Sequence, residues 1–162
     1  MKQIQARDFL GTVDIFKGLS DEQIDAIAAC ADITWFDTGG AITYVDNWGE
    51  AAFLVLSGSV MVADAAETSG YQEPLGPGTL LGELAMLTEV SYAATVVAAE
   101  PVSALVIERD AFYRVLEDDP TIAEHIADRL AVRLSGLAED LRLVDDRFEA
   151  LESSLQRVAA DA

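Results

Sequence analysis

Ser91, His125, Cys30 and the fourteen carboxylates between Gly18 and Glu108 are the side chains of this sequence that could do chemistry. A nucleophilic serine needs a partner base, and no G-x-S-x-G or triad arrangement surrounds Ser91. Metal-dependent chemistry needs a cluster of histidine and carboxylate ligands, whereas His125 is the only histidine. Cys30 is the only cysteine, which excludes an internal disulfide and a cysteine-based metal site. On an apolar helix face it reads as a small buried hydrophobe. Gly76-Pro77-Gly78 is a turn without the Lys-Ser/Thr of a phosphate-cradling loop. Asp145-Asp146 and the acids near them read as a solvated helix face. No catalytic constellation remains, and the chain is not expected to be an enzyme.

The distribution of charge is more informative. The 162 residues carry a formal charge of −19, and from Gly18 to Glu108 there is no Lys or Arg. A pocket built from that stretch alone meets an anionic ligand with no side-chain cation. The excess of acid also argues against nucleic acid and anionic membranes as partners. Apolar residues make up 51%, enough for a packed core, so the acidity does not signal disorder. The apolar runs are too short to span a membrane and Met1-Lys2-Gln3 has no signal-peptide shape, so a cytoplasmic location is expected.

The elements that would position these residues follow from periodicity. Residues 8–34 read as helix, with Ser20 to Gln23 forming a capping box. From Trp35 to Ile107, short apolar runs alternate with turn signals. The runs are Ala41–Val45, Ala52–Leu56, Val60–Ala63, Ala94–Ala98 and Ser103–Ile107. The breakers include Gly39-Gly40, Ser57-Gly58, Ser69-Gly70 and Glu100-Pro101. Many short strands with glycine-rich corners predict a β-sandwich or roll. Glu83–Thr88 interrupts them as a short helical turn, and a helix is predicted over about Asp110–Glu117.

After Pro120, with Thr121 as N-cap, one long helix is predicted. Ile122, Ile126 and Leu130 are spaced by four, as on a straight helix packed on its own domain. From Leu134 the spacing alternates strictly between three and four. Leu134, Leu141, Phe148 and Leu155 occupy one seam position, and Leu137, Val144, Leu151 and Val158 the other. That is a coiled-coil seam. About 40 helical residues extend roughly 60 Å, so the stripe needs a partner, expected to be a second copy in a homodimer, although the seam residues do not decide between dimer and higher order. Leu130 is counted with this interface. The expected organisation is residues 1–120 as a mainly β domain with flanking helices and residues 121–162 as an oligomerisation helix.

Four stretches together carry a resemblance. Ile15-Phe16-Lys17-Gly18-Leu19-Ser20 resembles an "LF-x-GLS" opening, and Asp37–Gly58 a strand-turn-strand segment ending in "Y-x-I-x-x-G", with Phe53 in the tyrosine place. Gly82-Glu83-Leu84-Ala85-Met86-Leu87 followed by Ala93-Ala94-Thr95-Val96 is similar to the phosphate-binding cassette GE-x-A-L-L…PR-x-A-T-V. The long helix after Asp118-Asp119-Pro120 resembles a dimerisation helix. In order and at these spacings, over roughly Phe9–Val144, they resemble the cyclic-nucleotide-binding domain of Crp/Fnr-type regulators. The resemblance implies an eight-stranded β-roll with flanking helices and a long C-terminal helix. Those regulators continue into a helix-turn-helix domain, so this chain, ending at Ala162, is expected to be a sensor half without its DNA-reading half.

The resemblance also implies roles. In members that bind cyclic AMP, the cassette Glu holds the ribose hydroxyl, the cassette Arg pairs with the cyclic phosphate, and the short helix between them lends backbone N–H groups. Here Gly82, Glu83, Ala85, Ala94, Thr95 and Val96 match, with Leu84 and Ala93 at the variable places, but Ser91 and Tyr92 stand in the Pro-Arg places. Ordinary cyclic AMP binding is therefore expected to be lost. Arg133, at the start of the coiled seam, is the nearest outside candidate for a cation, because the resemblance implies a long helix that caps the base end of the pocket. If a cyclic nucleotide binds, Arg133 and the backbone of Glu83–Ala85 must carry the phosphate, weakly and with strong salt dependence. Glu83 is either a contact for a ligand hydroxyl or amine, or a carboxylate capping the short helix or paired within the roll. Tyr92 either donates its hydroxyl to a neutral ligand or fills the space the arginine vacated. Thr95 is a ligand contact or simply a strand residue. No cofactor is expected beyond a neutral or nucleoside-like effector. The resulting expectation is a regulatory sensor module; the alternatives are a ligand-free scaffold recruiting a protein partner and a weak cyclic nucleotide binder.

Overall fold

The structure, a computed structural model, describes residues 2–63 and 73–161; Asp64, Glu67 and the Ser69-Gly70 turn lie outside the described residues. Three pieces replace the single helix expected over residues 8–34. These are α1 (Lys2–Thr12), a 3₁₀ turn (Asp14–Phe16) and α2 (Asp21–Ala29), and the chain then enters β1 (Asp32–Phe36). The break is local chemistry. Thr12 returns its hydroxyl to Phe9 O at 2.8 Å, Val13 is extended, and Gly18 takes a φ of +96° that other residues rarely adopt. The capping box forms: Ser20 Oγ accepts from Gln23 N and Ser20 N donates to Gln23 Oε1 at 2.9 Å. Cys30 is the half-buried cap at the end of α2, its thiol donating to Ile27 O at 3.1 Å. Burial pushes that thiol's pKa up.

Nine strands are present among the described residues, one more than the resemblance implied. β1, β9 (Val102–Glu108), β4 (Ala51–Ser57) and β6 (Leu80–Leu81) form an antiparallel sheet in that order. β2 (Ala41–Thr43), β8 (Val96–Ala98) and β5 (Val60–Val62) form a second sheet. β3 (Trp48–Gly49) pairs with β7 (Val90–Ser91). The five longer apolar runs all become strands. The two-residue strands β3, β6 and β7 are too short to show a period. Ile42, Val55, Val60, Leu81, Val96, Val102 and two alanines form one core cluster, with Phe36 and Phe53 packed against it edge to face. Leu10, Ile15, Phe16, Ile27 and Phe112 are fully buried on the helical side, Phe16 and Phe112 6.2 Å apart between ring centres.

β9 leads directly into α3 (Arg109–Asp118) and then α4 (Pro120–Ala160). Pro120 is the first residue of α4, a place where its missing N–H costs nothing. The cap is Asp119, not Thr121: Asp119 Oδ1 accepts from Thr121 N at 3.1 Å and from the Thr121 hydroxyl. A proline at the first helical position moves the capping role one residue back from it, which the threonine had suggested otherwise. His125 places Nε2 2.7 Å from Lys17 O, and its ring lies against Gly18.

The chain divides into two compact units, Met1–His125 and Ile126–Ala162. The second is a single helical segment. Its seam residues are exposed in the single chain, from Leu134 at 67% to Val158 at 70%, and Val132 and Leu143 are exposed beside them. No helix among the described residues is long and apolar enough to cross a membrane.

Candidate functional site

Gly82 starts the site. Its φ of +65° turns the chain out of β6 into a 3₁₀ helix, Glu83–Met86, in which Ala85 N donates to Gly82 O at 2.9 Å. Ala85 and Met86 point into the protein and are buried, while Leu84 is half exposed. Leu87 N and Thr88 N both donate to Leu84 O and close the turn. The chain then forms β7, where Val90 faces Gly49 and Ser91 faces Trp48.

Tyr92 is fixed at both ends. Its N–H donates to Asn47 O at 2.9 Å and its carbonyl accepts from Asp46 N. Its hydroxyl crosses the site and donates to Ala51 O at 2.8 Å. The ring lies on two glycines. A Cβ at Gly82 would stand 2.7 Å from Tyr92 Cε1, and one at Gly49 would stand 2.6 Å from Ala85 Cβ and 3.1 Å from the ring. Gly49 is therefore required by close approach, and Gly82 by close approach together with its left-handed φ.

These residues border a cavity of about 450 Å³. Gly82, Glu83, Leu84, Ala85, Tyr92 and Ala93 are brought together on its wall, as are Ser91 and Val90. Leu81, Thr43, Ala94 and Val96 complete the lining, so no Lys or Arg contributes to it. Thr95 is turned elsewhere: its Oγ1 accepts from Val45 N at 2.9 Å, and it does not line the cavity. Arg133 lies on α4 in the unit that does not carry the cavity. Thr43, buried and absent from the sequence expectations, donates its hydroxyl to Ala94 O at 2.9 Å.

A second group holds the site from behind. Arg109 Nη1 donates to Gly49 O at 2.9 Å, Ala85 O at 3.1 Å and Thr88 O at 3.2 Å. One guanidinium thus ties β3, the 3₁₀ helix and the turn after it to the start of α3. One turn later the Tyr113 hydroxyl donates to Leu87 O. Neither residue was singled out in the sequence. The available signal was position: Arg109 is the first cation after the basic-free stretch.

Residues 33–119 match the model of the cyclic nucleotide-binding domain. The chain belongs to that family. Among relatives of the cyclic nucleotide-binding domain, the cGMP-dependent protein kinase egl-4 of Caenorhabditis elegans is 31% identical over 163 residues, across 95% of this chain and 21% of the kinase. The cyclic AMP receptor protein of Thermus thermophilus is 30% identical over 90% of this chain and 66% of its own length. The chain thus spans about a fifth of the kinase and about two thirds of the receptor. The N-terminal domain of a Streptomyces coelicolor transcriptional regulator superposes with a TM-score of 0.73 at 23% identity, over 83% of this chain and 95% of that one, and shows the fold. The Thermus thermophilus catabolite activator protein superposes at 0.63 with 29% identity, over 82% and 63%. The cyclic nucleotide-binding domain is a regulatory fold, and the catalytic domains of the kinase relatives lie outside the matched region.

Proposed function

We propose that this chain is a non-enzymatic sensor whose phosphate-binding cassette has exchanged its cation for Tyr92. It self-associates through α4 in the cytoplasm, with residues 1–120 as the sensing domain and 121–162 as the oligomerisation helix. The observation that carries the reading is Tyr92: its ring covers Gly49 and Gly82, and its hydroxyl is committed to Ala51 O. That supports space-filling at the arginine position, in a cavity with no Lys or Arg on its wall. Loss of one partner of a buried charge pair costs about 2–5 kcal/mol, roughly 30-fold to several thousandfold in affinity. Gly82–Ala85, Tyr92 and Ala93 are the proposed ligand wall, with Glu83 the polar contact. Thr95 and Arg133 are the weaker members of the set. Ligand binding would move the 3₁₀ helix and, through Arg109 and Tyr113, the start of α3.

Calorimetric titration of cyclic AMP, cyclic GMP and adenosine into wild type, Glu83→Ala and Tyr92→Arg tests this. The expected result is weak or absent cyclic nucleotide binding by wild type and a gain in Tyr92→Arg. Sub-micromolar cyclic AMP binding by wild type at physiological salt overturns it. The exposed seam from Leu134 to Val158 on an acidic chain favours a second reading, a scaffold that recruits a basic protein partner.

A further inference from the structure

The seam of α4 leaves open which way a second copy runs, and the residues bordering it decide. α4 is one unbroken helix from Pro120 to Ala160, and its seam side chains are exposed in the single chain. Two rows flank the seam. One stands just before Leu134, Leu141, Phe148 and Leu155: Arg133, Asp140, Arg147 and Ser154. The other stands just after Leu137, Val144, Leu151 and Val158: Ala138, Asp145, Glu152 and Ala159. When two such helices run parallel, each row faces the partner's other row. When they run antiparallel, each row faces itself, so the charges along it set the orientation.

Asp140 and Arg147 make the choice. Both are exposed, and neither has an opposite charge three or four residues away on its own helix, the reach of intrahelical pairing. Gly136, Leu137, Leu143 and Val144 hold those places around Asp140, and Leu143, Val144, Ala150 and Leu151 around Arg147. A parallel pair sets Asp140 beside the partner's Asp145 and Arg147 beside the partner's Glu152, one repulsion against one attraction on each side. An antiparallel pair in which Leu141 meets the partner's Val144 sets Asp140 beside the partner's Arg147 on both sides and opposes no like charges. Sliding that pair by one heptad opposes Asp140 to itself in one direction and Arg147 to itself in the other. Packing agrees: the parallel pair stacks Phe148 on the partner's Phe148, whereas the antiparallel one sets it against the partner's Leu137, large against smaller. Resting on the reading that the chain self-associates through α4, we infer that two copies pair antiparallel, centred between Arg142 and Leu143. The two Ile126 residues, where the second compact unit begins, then stand roughly 50 Å apart along the pair rather than side by side.

The test uses the full chain with Cys30→Ser, which removes the native thiol. Leu134→Cys and Leu151→Cys are mixed in reductant, left to exchange partners, and oxidised with glutathione disulfide. Trypsin, cutting after Arg133, Arg142, Arg147 and Arg157, leaves the two new thiols in different peptides. The expected disulfide joins residues 134–142 of one copy to residues 148–157 of the other. Peptides joined only to their own kind overturn the inference. Light scattering keeps two failures apart: no disulfide in a protein with the mass of one chain overturns the association itself, and none in an associated protein overturns the orientation alone. Exchanging the charges gives an independent sign. Asp140→Arg should weaken association about tenfold relative to Glu139→Arg, the same change of charge away from the seam, because it turns two attractions into two repulsions. Arg147→Asp should weaken it likewise, and the double variant should regain it. Parallel pairing predicts the opposite for Asp140→Arg, which would then face the partner's Asp145. Association that is unchanged or tighter than in Glu139→Arg therefore overturns the inference. Circular dichroism verifies that each variant keeps its helix.

Discussion

Tyr92 and Gly82 constrain each other, and the constraint can be measured. A methyl at Gly82 meets the tyrosine ring and also forces a side chain into left-handed backbone. Gly82→Ala should destabilise by about 1–3 kcal/mol. In a Tyr92→Ala background the steric part disappears and about 1–2 kcal/mol of backbone cost remains. A double-mutant cycle by urea unfolding reads the difference. Arg109→Ala leaves three carbonyls without their shared donor and should cost about 2 kcal/mol, with Arg109→Lys recovering part of it. The resemblance of one contiguous cassette was enough to single out Glu83 and Tyr92 as candidates. It could not show that the Tyr92 hydroxyl reaches Ala51 across a strand. Nor could it show that Arg109, one residue past the stretch that drew attention, closes onto Gly49, Ala85 and Thr88.

Two helices share one side chain at their starts. Gln23 Oε1 completes the capping box of α2, while Gln23 Nε2 donates to Asp119 Oδ2 at 3.1 Å and Thr121 Oγ1 at 3.0 Å at the start of α4. Gln23→Ala should therefore cost about 1–2 kcal/mol, seen as a lower urea midpoint. The Thr121 and then the Gln23 hydrogen bonds hold the Asp119 carboxyl below its ordinary 3.8. A depressed carboxylate contributes stability that is complete above the unfolded value and is lost as pH falls through the folded one. Acid unfolding should accordingly be steeper below about pH 4 in wild type than in Asp119→Asn, whose amide still caps. The capping box was readable because both its residues are local. The second half of Gln23's work, and the splitting of residues 8–34, were hidden. One is a contact across the fold; the other is a break made by Val13 and Gly18 within an apolar pattern that continues through it. The strands on continuous apolar runs were legible, while those of two residues and β1, whose first three residues read as helix, were not.

At the scale of the whole molecule, the proposed association through α4 pits an apolar seam against a charge of −19 per chain. Leu141→Asp or Phe148→Asp should lower the mass measured by light scattering to that of one chain, and an unchanged mass refutes the coiled coil. Because like charges repel, association should tighten between low and physiological salt. The charge pattern has a consequence of another kind. All nine strands among the described residues, Asp32 through Glu108, and every residue on the cavity wall lie inside the stretch without Lys or Arg. Trypsin, which cuts after those two residues, can therefore remove most of both flanks, from Lys17 back and from Asp110 on, and find no bond to cleave in the sheets between. The α4 helix, with Arg129, Arg133, Arg142, Arg147 and Arg157, offers it five. Digestion should shed the helix in pieces and leave one peptide, Gly18–Arg109, that contains the whole sheet framework and the pocket.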